Sequence, residues 1–151
     1  MTDFKFVPDE KKANYEYAVS ACLCGFNCRY DGNTKSVPKI KELYDAGRAI
    51  LVCPEVMGGL ETPRAASEII GDKVIDKNGR DNTLKFNKGA EKALELCKKY
   101  GVKKAILKQN SPSCGSRHIY DGTFSGTLTE GMGIAARLLS ENGIEVTGEK
   151  N

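Results

Sequence analysis

Long hydrophobic runs are missing from this chain. No apolar stretch approaches the roughly 20 residues that cross a bilayer as a helix, so no membrane span is expected. The opening residues, MTDFKFVPDEKKANYEY, are charged and hold no signal-peptide apolar core, which points to the cytoplasm. In that reducing compartment six cysteines are read as metal-binding, catalytic or buried groups, not as a disulfide framework. A strong charge of one sign is also absent: the net charge of +3 is too small to argue for nucleic acid as a partner. No Gly-x-Gly-x-x-Gly follows the first predicted strand, and Gly58-Gly59 lacks phosphate-loop spacing, so nucleotide binding has no support. His118 is the only histidine; it stands in a polar loop and is left out of the site. No linker marks a second domain. Residues 1–151 are expected to form one domain, with a loose arm at 1–15 and the body at 17–149.

What is present is a globular composition, 40% hydrophobic and 28% charged, enough for one core. Four short apolar runs predict buried strands at 17–21, 49–53, 105–107 and 144–147. Three segments of helical period lie between them. One spans 37–46, with Pro38 in its first turn and Gly47 beyond its end. The second runs from Asn82 or Thr83 to Tyr100, with Phe86, Ala90, Ala93, Leu94 and Cys97 on one stripe. The third, 132–142, turns Ile134, Ala135, Leu138 and Leu139 inward. The segment 68–76, EIIGDKVID, predicts a small hairpin around Gly71-Asp72. The stretch PEVMGGLETPRAAS is read as irregular, and residues 108–131 as a long functional loop. Tyr-Asp-Gly occurs at 30–32 and again at 120–122, which reads as two similar turns. The alternation predicts an α/β fold: a three-layer, Rossmann-like domain with a mostly parallel sheet of about four core strands, plus a small β-hairpin insertion.

Cys22, Cys53 and Cys114 stand where three predicted strands end. Open α/β sheets bind ligands at the carboxyl ends of their strands. Thiols gathered there suggest a metal or iron–sulfur site; the alternative is three ordinary core cysteines. Cys53 precedes Pro54-Glu55, which turns the chain out of the sheet. Cys114 lies in Ser-Pro-Ser-Cys-Gly, a tight turn expected to offer N–H groups to sulfur. Cys24 or Cys28 could add a fourth ligand. Four thiolates favour structural zinc, whereas three and a vacancy fit a four-iron cluster. Cys97, on a helical apolar stripe, reads as a small buried hydrophobe. Glu55 is a candidate general base. Ser111 and Ser113 are candidate hydrogen-bond donors to a substrate. Arg29, Arg64 and Arg117 lie on loops at the same end of the sheet, suited to an anionic or carbonyl-rich ligand. Of these groups Arg29, Arg64 and Ser113 are taken as substrate-binding.

The segments SACLCGFNCRYDG, CPEVMGGLETPR, AILKQNSPSCG and IYDGTFSGTLTEGMG occur in that order. They resemble a small cysteine-rich family, first described as a domain of unknown function, that is associated with thiouracil desulfurase. The resemblance covers about residues 17–149. It implies that Cys22, Cys53 and Cys114 hold a [4Fe-4S] cluster with one open iron, and that Glu55 and Ser111 are catalytic. The implied reaction is a non-redox desulfuration of thiouracil to uracil and hydrogen sulfide. A soft thiocarbonyl would be polarised at the open iron. Glu55 would take a proton from the attacking water, and Ser111 would orient the water or the ring. Relatives often carry an apolar residue where Cys24 stands. Some carry an added C-terminal domain and act on thiolated tRNA; this chain is expected to act on a small thiolated base. Three rivals remain open: a non-catalytic zinc or iron–sulfur protein closed by Cys24 or Cys28, a desulfurase of thiolated tRNA, and a thiol-pair redox enzyme. The last lacks the Cys-x-x-Cys spacing.

Overall fold

The structure is a computed structural model that describes Pro8 and residues 14–150. Its first half runs β1 (Tyr17–Ser20), α1 (Pro38–Asp45), β2 (Ala49–Val52), α2 (Pro54–Met57), β3 (Ser67–Ile70) and β4 (Lys73–Asp76). The second half runs α3 (Thr83–Lys99), β5 (Lys104–Leu107), β6 (His118–Tyr120), β7 (Leu128–Glu130), α4 (Ile134–Glu141) and β8 (Glu145–Gly148). Strands β2, β1, β5 and β8 lie side by side in that order and are all parallel. These are the four expected core strands, each within two residues of its predicted limits.

Alternating residues along the strands feed two separate cores, as the period-2 pleat requires. Ala18, Ile50, Val52, Ala105 and Leu107 pack against Ala93 and Cys97 of α3 and Ala136 and Leu139 of α4. Val19 and Leu51 point the other way, to Ile40 and Leu43 of α1. The sheet is therefore the middle of three layers. Its topology explains why. From β1 the chain steps one way to β2, then returns past β1 to β5. With right-handed crossovers, opposite steps put the connecting helices on opposite faces. The reversal leaves a crevice at the carboxyl ends of β1 and β5.

Two segments differ from the sequence reading. The stretch taken as irregular opens with α2, a single turn started by Pro54, whose missing N–H costs nothing at a helix start. The predicted 108–131 loop contains the antiparallel pair β6–β7. Its strands are three residues long and mostly exposed, so no hydrophobic alternation marks them. The hairpin β3–β4 forms as expected. Most of the expected loose arm lies outside the described residues. Tyr15, at its end, is buried, with its N–H on Tyr100 O at 2.9 Å and its ring edge-on to that of Tyr100. Among the described residues no helix is long and apolar enough to cross a membrane.

The contact between α2 and α3 is made by backbone. A Cβ on Gly89 would stand 1.7 Å from Pro54 O, and one on Gly58 1.9 Å from Lys85 O. Only glycine permits this approach, and it sets where Cys53 and Glu55 leave the sheet. Gly89→Ala should push α2 away and lower stability by about 1–3 kcal/mol in urea titrations, the usual cost of overpacking. A second expectation concerns pH. Burial raises the Cys97 thiol from an ordinary 9.0 to about 12. The folded chain therefore favours the neutral thiol. That contribution is full below pH 9 and is lost as pH climbs towards 12, because the unfolded chain ionises first. Urea titrations of Cys97→Ala should accordingly show a smaller alkaline loss of stability than the parent chain.

Candidate active site

The crevice at the strand ends is a cavity of about 320 Å³. All eight residues singled out in the sequence line it: Cys22, Cys53, Cys114, Glu55, Ser111, Ser113, Arg29 and Arg64. Cys22 lies in a 3₁₀ turn directly after β1, Cys53 directly after β2, and Cys114 in the turn after β5. The three thiols thus come from three strand ends, as expected. Arg117 does not join them; it lines a second cavity of about 270 Å³ with His118 and Lys150.

The remaining cysteines divide. Cys28 lines the main cavity, and its buried thiol faces those of Cys22 and Cys53. Hydrogen bonding to Cys22 and then to Cys53 pushes the Cys28 thiol up, and the same contact with Cys28 holds Cys53 below its ordinary value. Cys24 turns away. Its sulfur lies 3.9 Å from Ile40 O, among the residues under α1, and burial pushes its thiol up to about 12. Cys97 sits in the α3 core as expected. Burial raises Cys114 as well, to about 12. Among the described residues no three or more His, Cys, Asp or Glu side chains are drawn together tightly enough to hold a single metal ion.

Beside the thiols lies a connected polar network. Glu55 on α2 receives Arg64 Nε on Oε1 at 3.0 Å, a pair whose side chains are 13% and 9% exposed. Arg64 makes three further bonds: Nη2 donates to Cys28 O, and Nη1 to Glu61 O and Thr62 Oγ1. These contacts brace the site. Ser113 Oγ donates to Glu55 Oε2 at 2.9 Å, whereas Ser111 Oγ is 3.4 Å away. Ser111 Oγ accepts the N–H groups of Ser113 and Cys114 and lies 2.9 Å from Ser113 Oγ. The turn's amides are thus spent on Ser111 and not on sulfur. The hydroxyl nearest a thiol is Ser113, 3.5 Å from Cys114 Sγ. The start of α4 locks this turn: Ala135 and Ala136 N–H reach Ser113 O, and a Cβ on Gly133 would meet Ser113 C at 2.4 Å. Arg29 pairs with Asp31 at 3.5 Å and sits over the Tyr30 ring.

Among the lining residues that sequence reasoning passed over are Tyr30, Glu68, Asn110 and Tyr120. The repeated Tyr-Asp-Gly was the available signal for two of them, since each copy contributes its tyrosine to the cavity wall.

The family model of the 2-thiouracil desulfurases matches residues 18–151. The chain belongs to the 2-thiouracil desulfurase family. A family relative, the uncharacterized protein YbbK of Bacillus subtilis (strain 168), is 43% identical over 141 residues, covering 87% of this chain and 93% of YbbK. The solved structure of the [4Fe-4S]-dependent thiouracil desulfidase TudS superimposes with a TM-score of 0.87 at 45% identity, over 91% of this chain and 92% of that one.

In this desulfurase-family chain, removing Arg64 would leave a largely buried carboxylate without its cation and the Cys28 carbonyl with only the long contact from the Cys53 thiol. Arg64→Ala is expected to cost roughly 3–5 kcal/mol in urea titrations, as for other broken buried pairs. Arg64→Lys should fall between, because ammonium keeps the charge but not the fork.

Proposed function

We propose that this chain desulfurates a thiolated pyrimidine base, converting thiouracil and water to uracil and hydrogen sulfide without net oxidation or reduction. One observation carries the reading: thiols from three strand ends line the same cavity as the Arg64–Glu55–Ser113 network. Membership of the 2-thiouracil desulfurase family and the likeness to a [4Fe-4S]-dependent desulfidase support it.

The donor set fits an iron–sulfur group, because thiolates are the soft ligands such clusters take and four thiols face this cavity. Cys22, Cys53 and Cys114 would hold the group; Cys28 stands beside two of them. When bound, a cluster held by three thiolates supplies a Lewis-acidic iron with one position for a soft thiocarbonyl sulfur. The protein's part is proton handling and positioning. Arg64 fixes Glu55 through Oε1, leaving Oε2 towards the serines. Glu55 Oε2 takes a proton from water as the water oxygen adds to the carbon bearing sulfur. The thiocarbonyl π pair goes to sulfur, which takes that proton back from Glu55. Glu55 then takes the proton of the added hydroxyl as the carbonyl forms and the carbon–sulfur bond breaks with its pair on sulfur. It passes that proton to the hydrosulfide, so both water protons leave as hydrogen sulfide. Ser113 donates to Glu55 and Ser111 holds the turn, so the second serine acts nearer the base than the first. A free base fits the reading better than nucleic acid, given the small net charge.

Anaerobic reconstitution should give about four irons per chain, with loss of the thiocarbonyl absorbance of 2-thiouracil or 4-thiouracil. Glu55→Gln should keep the iron yet lower kcat roughly 10²–10⁴-fold, the usual loss of a general base. Normal turnover in that variant would remove Glu55 from the mechanism. Iron-loaded parent chain inert towards both bases would overturn the activity itself.

A further inference from the structure

Glu68 on β3 is the second carboxylate lining the cavity, beside Glu55. It is buried, and an unpaired buried carboxylate is costly. Its Oε1 accepts two backbone donors, Gly122 N–H at 2.9 Å and Phe124 N–H at 3.2 Å. Both belong to the turn that joins β6 to β7. Gly122 lies close against β3, where a Cβ would come within 2.9 Å of Ile69 O. Phe124 has φ of 57°, in the left-handed region that a bulky residue enters only when held there.

Little else fastens this turn. β7 is exposed along its whole length, and Phe124 and Leu128 remain 39% and 45% exposed. The other hydrogen bonds of 121–127 run within the hairpin, among Asp121, Thr123, Ser125 and Thr127. They shape the turn without tying it to the sheet. Yet the hairpin supplies Tyr120 and Gly126 to the cavity wall. An aromatic face is a suitable surface for a flat pyrimidine ring.

We propose that Glu68 is a positioning residue: by clamping the 121–127 turn it holds Tyr120 and Gly126 as the wall against which the substrate's pyrimidine ring lies. The inference rests on the desulfurase reading above, but the clamp can be measured without it.

The test uses the reconstituted protein with 4-thiouracil as the probe. Amide hydrogen exchange of the 120–127 segment is compared in the parent chain, Glu68→Gln and Glu68→Ala. Glu68→Ala should speed exchange there and raise KM about tenfold, with kcat little changed, because a binding wall is lost and the base is not. Glu68→Gln keeps an oxygen acceptor and should stay close to the parent in both readings. Tyr120→Leu should raise KM without altering exchange at Gly122. Exchange unchanged in Glu68→Ala would overturn the clamp. Faster exchange with unchanged KM would overturn the wall, and so would Tyr120→Leu with parental KM. If Glu68→Ala does not fold, Glu68→Gln and Tyr120→Leu decide. Faster exchange in Glu68→Ala, alongside a parent chain inert towards thiouracil, would sink the desulfurase reading and the wall while leaving the clamp standing.

Discussion

The constraint on which the rest depends is the handedness of parallel crossovers. Because each strand–helix–strand step must turn the same way, stepping from β1 to β2 and then back past β1 to β5 separates α1 from α3 and α4. That separation opens the end of the sheet between β1 and β5 and faces it with the turns that follow β1, β2 and β5. The Ser20 hydroxyl, accepting Lys108 N–H at 2.8 Å, joins the two strand ends at the floor of the opening. Residues remote in the chain become neighbours there because strands are parallel and their carboxyl ends point the same way.

The inner site is held by backbone contacts. Gly58 and Gly89 let α2 settle on α3, which directs Cys53 and Glu55. The first amides of α4 fall on the carbonyls of the Ser-Pro-Ser-Cys turn, which directs Ser113 and Cys114. Arg64 closes the network by touching Glu55, the Cys28 carbonyl and its own loop. Charge and fork geometry are both used, which is what makes arginine the suitable cation for a mostly buried carboxylate. The rim is built differently. Its 121–127 turn is tied to the body by the Glu68 carboxylate and by the close approach of Gly122 to β3.

Six chemically identical thiols meet three environments. Cys97 and Cys24 are surrounded by apolar side chains; burial raises the Cys97 thiol, and burial first and then the nearby Cys22 and Asp45 raise that of Cys24. Cys22, Cys53 and Cys114 share the cavity wall, and Cys28 stands against two of them. Cys24 is two residues from Cys22 and still does not line the cavity. The 3₁₀ turn Ala21–Cys24 rotates its side chain towards α1. Spacing along the chain carries no record of that rotation.

The core strands and long helices were legible because each carries its own pattern: short apolar runs for the strands, two of them almost wholly buried, and stripes on α1, α3 and α4. So was the gathering of the candidate residues in one cavity, since Cys22, Cys53, Glu55 and the Ser-Pro-Ser-Cys turn all follow strand ends. The pair β6–β7 was not legible, because an exposed three-residue strand has no face to bury and leaves no pattern. Nor was the ranking of the serines or the engagement of Arg64, since both depend on differences of tenths of an ångström between segments far apart in the chain. The sequence by itself determined the layers, the strand ends and the chemistry placed on them, because those follow from local hydrophobic period and residue type. Only the tertiary structure decided which thiols face one another, which hydroxyl meets Glu55, and that Glu68 reaches across to the β6–β7 turn. Those are contacts between elements, and they exist only once the crossovers have set the distances.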